Sequence, residues 1–180
     1  MLTIQYTTTY LSPLGKILLA ADDIGLTGLW FDGEKFYAKN LAPEHEEKEV
    51  PVFGEVKHWL DLYFSGTNPG FMPPIHMIGS TFQRSVWNVL KQIPYGETTT
   101  YGEIAKQIAV SCGKERMSAQ AVGGAVGHNE ISIIVPCHRV VGTNGSLTGY
   151  AGGVDKKVRL LTLEGVNMSV LFVPTKGTAL

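Results

Sequence analysis

The chain holds 180 residues, 44% hydrophobic and 17% charged, which supplies a full core and excludes a disordered or fibrous class. No apolar run approaches the roughly 20 residues of a membrane span, and the start "MLTIQYTTTYLSP" lacks the basic head and apolar segment of a secretion signal. Two cysteines, Cys112 and Cys137, cannot build a disulfide framework, so a reducing, intracellular (cytoplasmic) setting with no membrane partner is expected.

The first part reads as a β-meander. "LTIQYTT" alternates, "SPLG" turns, "KILLAAD" follows, "DIG" turns again and "LTGLWF" resumes the alternation. The charged run "PEHEEKE" reads as a solvated loop or helix surface. In "FGEVKHWLDLYFSG", Phe53, Val56, Trp59, Leu60, Tyr63 and Phe64 fall at helical spacing and stop at Gly66. "TNPGFMPPIHMIG" carries three prolines and two glycines and is the candidate linker, giving an N-terminal domain over 1–75 and a C-terminal one over 80–170.

Beyond the linker the texture becomes helical. Phe82, Val86, Val89, Leu90 and Ile93 form one stripe, capped by Ser80 or Thr81 and ended by Pro94. "TTTYGEIAKQIA" opens with Thr100 and Glu103 in capping-box spacing. "SAQAVGGAVGHN" is a short helix of small residues from Ser118, whose two internal glycines cost about 1 kcal/mol each relative to alanine and point to a close neighbour. "ISIIVP" reads as a buried strand or extended run, and "VDKKVRLLTLEG" as a closing helix with Gly165 past its end. The helices at 100–109 and 118–127 have the outline of a helix-turn-helix. The second lacks the long polar side chains of base-edge readout, so it suits either a minor groove or tight packing against another helix.

The net charge of −1 hides a split. Residues 1–79 carry 5 Lys/Arg against 10 Asp/Glu, a net of −5, and residues 80–180 carry 10 against 6, a net of +4. A basic half that meets a polyanion gives this pattern, and so does chance surface variation.

"IIVPCHRVVG" places Cys137 before His138 and Arg139. A thiolate gains from nearby positive charge or an adjacent base. In an extended segment, however, neighbouring side chains point to opposite faces. Direct Cys137–His138 bonding therefore requires a turn at Pro136, or else a water between them. The residues alone leave a nucleophile and an ordinary buried thiol open. A metal site is disfavoured, since there is no CxxC and no paired histidine.

"IVPCHRVVG", preceded by "AVGGAVGHN" and followed by "LTGYAGGVDKKVRLLTLEG", resembles the O6-alkylguanine-DNA alkyltransferases. The resemblance covers about 80–165 in motif and implies a ribonuclease-H-like α/β domain followed by a mainly helical domain of winged-helix type. It implies that double-stranded DNA bearing O6-alkylguanine is bound through its minor groove by a monomer without cofactor or metal. The base is flipped and its alkyl group passes irreversibly to Cys137, once per molecule. His138 activates the thiol through a water and Glu164 orients the imidazole. Asn129 fixes the turn around the site, and Tyr101 gives a proton to the departing guanine. The carbonyls of Cys137 and Val140 hold the exocyclic amine, and Tyr150 with the Ala151 amide covers the base. On the DNA side the resemblance implies Ala119, Gln120, Ala121 and Gly123, with the arginines and lysines of the basic half, Arg139 among them, on phosphates. Gln120 departs from the arginine many members carry there, and Ala151 from the serine of some. Two other readings are a damage-binding relative without transfer, against which the cysteine argues, and a Cys–His hydrolase, against which the adjacent pairing argues.

Overall fold

The computed structural model describes residues 3–175. They form two compact units. The first runs to Ile78 and also takes Glu130–Ile134, and the second comprises Gly79–Asn129 and the chain from Val135 onward. The division lies at 78/79, and the five residues 130–134, expected in the second domain, cluster with the first.

In the first unit, β1 (Gln5–Ser12), β2 (Gly15–Ala21) and β3 (Leu26–Phe31) form the expected antiparallel meander. The acidic run is not all loop. Within it β4 (His45–Glu47) pairs parallel with β1, completing the order β3-β2-β1-β4. Helix α1 (Pro51–Phe64) starts with its proline in the first turn, where the missing N–H costs nothing. It buries Phe53, Val56 and Leu60, and packs on β1 and β2. The outer edge of β3 is covered by short backbone pairings. Leu26 bridges Ile75 and Leu29 bridges Ile131, which removes an open edge from solvent. The Leu29 amide donates to the Glu130 carbonyl at 2.8 Å, and Trp30 Nε1–H to the Glu130 carboxylate at 2.7 Å.

The run "ISIIVP" is therefore not a regular strand. Its β-branched residues bury as predicted, but Ile133 has φ 70° and the Ile134 amide donates to the Ser132 carbonyl at 2.8 Å. That is a γ-turn of the strained sign, costly at a β-branched residue.

The second unit is helical. Helices α2 (Thr81–Leu90), α3 (Tyr101–Ser111) and α4 (Ala119–Gly127) pack on one another. Each is capped by a hydroxyl: Ser80 in a full capping box with Gln83, Thr100 on the Glu103 amide, and Ser118 on the Ala121 amide. Helix α2 ends at Leu90, ahead of the Pro94 stop expected from sequence. Trp87 Nε1–H donates to the Ala125 carbonyl at 2.9 Å, tying α2 to α4. Two short strands that the sequence pattern did not announce, β5 (Thr99–Thr100) and β6 (Val140–Val141), pair parallel, and α5 (Val154–Leu163) closes the unit. Among the described residues no helix is long and apolar enough to cross a membrane.

A Cβ added at Gly28 would lie 1.9 Å from the Trp30 ring, which is buried and anchored by Glu130. Gly28→Ala is expected to destabilise the protein by about 1–3 kcal/mol through overpacking, seen as a lower urea midpoint. An unchanged midpoint would show that the ring moves aside freely.

Candidate active site

The chain turns sharply before Cys137. Pro136 has φ −82° and ψ 64°, and the Cys137 amide donates back to the Val135 carbonyl at 2.8 Å, the geometry of an inverse γ-turn. The same carbonyl accepts Asn129 Nδ2–H at 2.8 Å. Asn129 thus joins the two points where the chain leaves the second unit and re-enters it. Cys137, His138 and Arg139 then form one turn of 3-10 helix, not the extended segment expected. At three residues per turn, the Cα–Cβ bonds of neighbouring residues diverge by about 120°.

His138 is fully buried, and its Nε2 lies 2.5 Å from Glu164 Oε2. Glu164 Oε1 accepts Arg139 Nε–H at 2.7 Å and the Gly96 amide at 3.0 Å. Arg139 also donates from Nη1 to the Ile93 carbonyl at 2.6 Å, with its guanidinium 5.8 Å from the centre of the Tyr95 ring. Glu164 closes the C-terminal end of α5, where the helix dipole disfavours an anion. Burial would raise its carboxyl, but His138 and Arg139 more than offset this and bring it to about 2. Burial pushes the imidazole of His138 down, so it is neutral at pH 7. A neutral imidazole facing a carboxylate carries its proton on Nε2, which leaves Nδ1 as the basic nitrogen.

The expectation that Arg139 meets DNA is corrected. Its side chain is 9% exposed, and its guanidinium is bound inward by Glu164 and the Ile93 carbonyl.

Sequence reasoning missed Lys157. It is fully buried and donates to the carbonyls of Val140 at 2.5 Å and Thr148 at 2.8 Å. Burial pulls its ammonium down to about 8 while the charge of an ionised Cys137 opposes that shift. A signal was present in the sequence. Lys157, Leu160, Leu161 and Glu164 fall at i, i+3, i+4 and i+7, which places a lysine on the buried face of α5. Val140, expected to hold a substrate amine through its carbonyl, already accepts Lys157 there, and the Cys137 carbonyl accepts the Val140 amide.

Tyr101, the first residue of α3, donates its hydroxyl to the Thr148 carbonyl at 3.1 Å. Burial, with the charge of Cys137 beside it, holds its phenol up at about 12, so it keeps its proton. Gly149 follows at φ 73°, and a Cβ there would lie 3.0 Å from the Tyr101 hydroxyl. The Tyr150 ring meets the His138 ring edge-on, with centroids 6.4 Å apart. Ala151, next to it, is partly exposed. On α4, Ala119, Gln120 and Ala121 are exposed. Gly123 is half-buried, and a Cβ there would lie 3.8 Å from the Tyr101 ring. Cys137, His138, Glu164, Asn129 and Tyr101 are thus supported by one network of bonds and packing, with α4 presenting a bare face beside Tyr101.

Residues 5–75 match the ribonuclease-like domain of 6-O-methylguanine DNA methyltransferase, and residues 81–166 match its DNA binding domain. The chain belongs to the 6-O-methylguanine DNA methyltransferase family. It is 48% identical to the methylated-DNA–protein-cysteine methyltransferase of Methanosarcina acetivorans, over 89% of this chain and 99% of that one. The constitutive enzyme of that name from Bacillus subtilis is 39% identical, over 91% and 97%. Among solved structures, Mycobacterium tuberculosis OGT in complex with DNA aligns with a TM-score of 0.76 at 41% identity, covering 88% of this chain and 92% of that one. The two-domain arrangement of a sheet unit followed by a helical unit is the architecture of this methyltransferase family.

Both downward shifts in the buried pair have the same sign for stability. His138 and Glu164 each stabilise the fold fully above their ordinary values, 6.5 and 4.5, and lose that contribution as pH falls. The melting temperature is expected to drop below pH 6.5 and further between about pH 4.5 and about pH 2. Glu164→Gln should lower it at neutral pH and flatten the more acidic limb. A scan from neutral to acid with both proteins checks this, and a flat profile for the parent chain would contradict it.

Proposed function

We propose that this protein repairs DNA by transferring the alkyl group of O6-alkylguanine to Cys137, irreversibly and once per molecule. The observation that carries the reading is the buried Cys137-His138-Arg139 turn, with His138 Nε2 held on Glu164. In this reading a water takes the thiol proton and passes it to Nδ1 of His138. The thiolate attacks the alkyl carbon, the S–C bond forms and the C–O6 bond breaks. The electron pair stays on guanine, which receives the Tyr101 proton. The Lys157 ammonium favours the thiolate before attack. Product is a thioether with no leaving group, so the chain does not turn over.

O6 lies within the base stack, so the reading requires the nucleotide to be extruded, at a cost of a few kcal/mol. Helix α4 with α3 is read as a helix-turn-helix of winged-helix type, and the N-terminal unit as ribonuclease-H-like. The exposed Ala119 and Ala121 permit close approach to a minor groove, and Gln120 is the side chain available to the space the base vacates. The loop of Tyr150 and Ala151 covers the flipped base, with the carbonyls of Cys137 and Val140 at its exocyclic amine. The site needs no second chain, which supports a monomer. Cys112 and Cys137 form no disulfide among the described residues, which fits a cytoplasmic, reducing setting. A hydrolase is disfavoured by the adjacent placement of Cys137 and His138 in the chain.

Incubation with a duplex bearing one O6-methylguanine, followed by peptide mapping, is expected to show one methyl per chain on the peptide containing Cys137. Binding without transfer, or turnover of an ester with no adduct, would overturn the reading. Tyr101→Phe should slow single-turnover transfer on the order of a hundredfold while leaving duplex affinity in place. An unslowed variant would remove Tyr101 as donor. Gln120→Arg is expected to tighten duplex binding and steepen the logarithmic salt dependence by about one, and an unchanged titration would show that this position carries no load.

A further inference from the structure

The segment after α5 lies beyond the stretch that matches the family's DNA binding domain, which ends at residue 166. It nevertheless joins the loop that leads into the base-covering residues. Asn167 caps a short 3-10 turn, Met168–Val170. The chain then runs extended and forms a parallel bridge between Phe172 and Ser146. The Phe172 amide donates to the Gly145 carbonyl at 3.0 Å, and the Leu147 amide donates to the Phe172 carbonyl at 2.8 Å. Val166, Met168 and Leu171 pack on Val141, Leu147 and Leu161. Gly145 is fitted to this segment: it has φ 88°, and a Cβ there would stand 2.3 Å from the Val170 carbonyl.

The residue after Leu147 is Thr148, whose carbonyl receives both the Tyr101 hydroxyl and the Lys157 ammonium. Gly149, whose missing side chain makes room for the Tyr101 hydroxyl, comes next, and then Tyr150, which meets His138. Three consecutive residues that touch the chemistry therefore hang from a point clamped by the tail. We propose that Val166–Val173 is a positioning strap: by pairing with Gly145–Leu147 it sets the Thr148 carbonyl and, through it, the placement of Tyr101 and of the base-covering loop. In this role the tail acts through Gly145–Leu147 and not on the thiol or α4. Its loss falls on the transfer step, leaving DNA binding and thiol reactivity in place.

Five proteins test this: the full chain, a chain ending at Thr175, a chain ending at Asn167, Phe172→Pro and Phe172→Ala. Proline removes the amide that donates to Gly145, whereas alanine keeps both backbone bonds. Each is measured for single-turnover methyl transfer from a methylated duplex, duplex affinity, thiol alkylation by iodoacetamide, and hydrogen exchange at the Leu147 amide. The chain ending at Asn167 and Phe172→Pro are expected to lose Leu147 protection and to transfer on the order of tenfold more slowly, with duplex affinity and iodoacetamide rate held. The chain ending at Thr175 and Phe172→Ala should match the full chain. A chain ending at Asn167 that loses Leu147 protection yet transfers at the full rate overturns the strap, as does slowing matched by an equal loss of iodoacetamide reactivity. Where that chain does not fold, Phe172→Pro decides. The inference rests on the proposed donor role of Tyr101, and Tyr101→Phe beside these proteins separates the two. A fast Tyr101→Phe sinks the donor assignment alone, while the strap stands or falls on the tail variants.

Discussion

A single buried carboxylate organises the helical unit. Glu164 sits at the end of a helix that disfavours it, away from water, where an unpaired anion would cost several kcal/mol. It is held there by a guanidinium and an imidazole N–H from the Cys137–Arg139 turn and by the backbone amide of Gly96. Arg139 neutralises the charge, which lets His138 stay neutral and fixes its tautomer. The Gly96 amide ties in the turn between α2 and α3, and through the Ile93 carbonyl Arg139 holds the same turn a second time. One electrostatic requirement therefore sets the end of α5, the turn before α3 and the His138 ring beside the thiol's residue.

The charged residues of the site divide by depth. Arg139 and Lys157 face inward and serve backbone carbonyls and one carboxylate. The surface offered by α4 is almost without charge, with Gln120 as its longest polar side chain in the first turn. In the proposed complex, association with DNA then depends on shape at α4 and on charge carried elsewhere on the basic half, while the interior cations hold backbone carbonyls and Glu164. Such a separation keeps the reacting groups in a low-dielectric setting, where fixed dipoles and charges act most strongly.

What the sequence revealed follows the range of the interaction. The caps at Ser80, Thr100 and Ser118 and the stripe of α1 were legible because they are contacts within one turn of helix. The acidic strand β4 was not, since its pairing with β1 is set some forty residues away and its composition reads as solvated. "IIVPCHR" misled for a similar reason: β-branched residues predict extended backbone, yet the segment is bent by a γ-turn at Ile133 and another at Pro136. The second of these is braced by the side chain of Asn129. Arg139 counts as a phosphate ligand in the sequence because it belongs to the basic half, and only the fold supplies the carboxylate that draws it inside. Lys157 hid in "DKKVR", where a lysine pair suggests surface. The motif itself, with His138 and Glu164 in their proper order, was plain, because short contiguous stretches carry it.

The five residues Glu130–Ile134 belong to the sheet unit although the chain on both sides of them belongs to the helical one, with Asn129 and Val135 bonded across the neck. The two units are therefore not consecutive lengths of polypeptide, and no single cut between them yields two complete pieces. A recombination event at residue 78 between this chain and a distant relative would give a hybrid whose first sheet receives foreign partners for Leu29 and Trp30, at the positions of Glu130, Ile131 and Ser132, five to seven residues upstream of the acceptor thiol. The lineage of the sheet and that of the cysteine are bound to travel together.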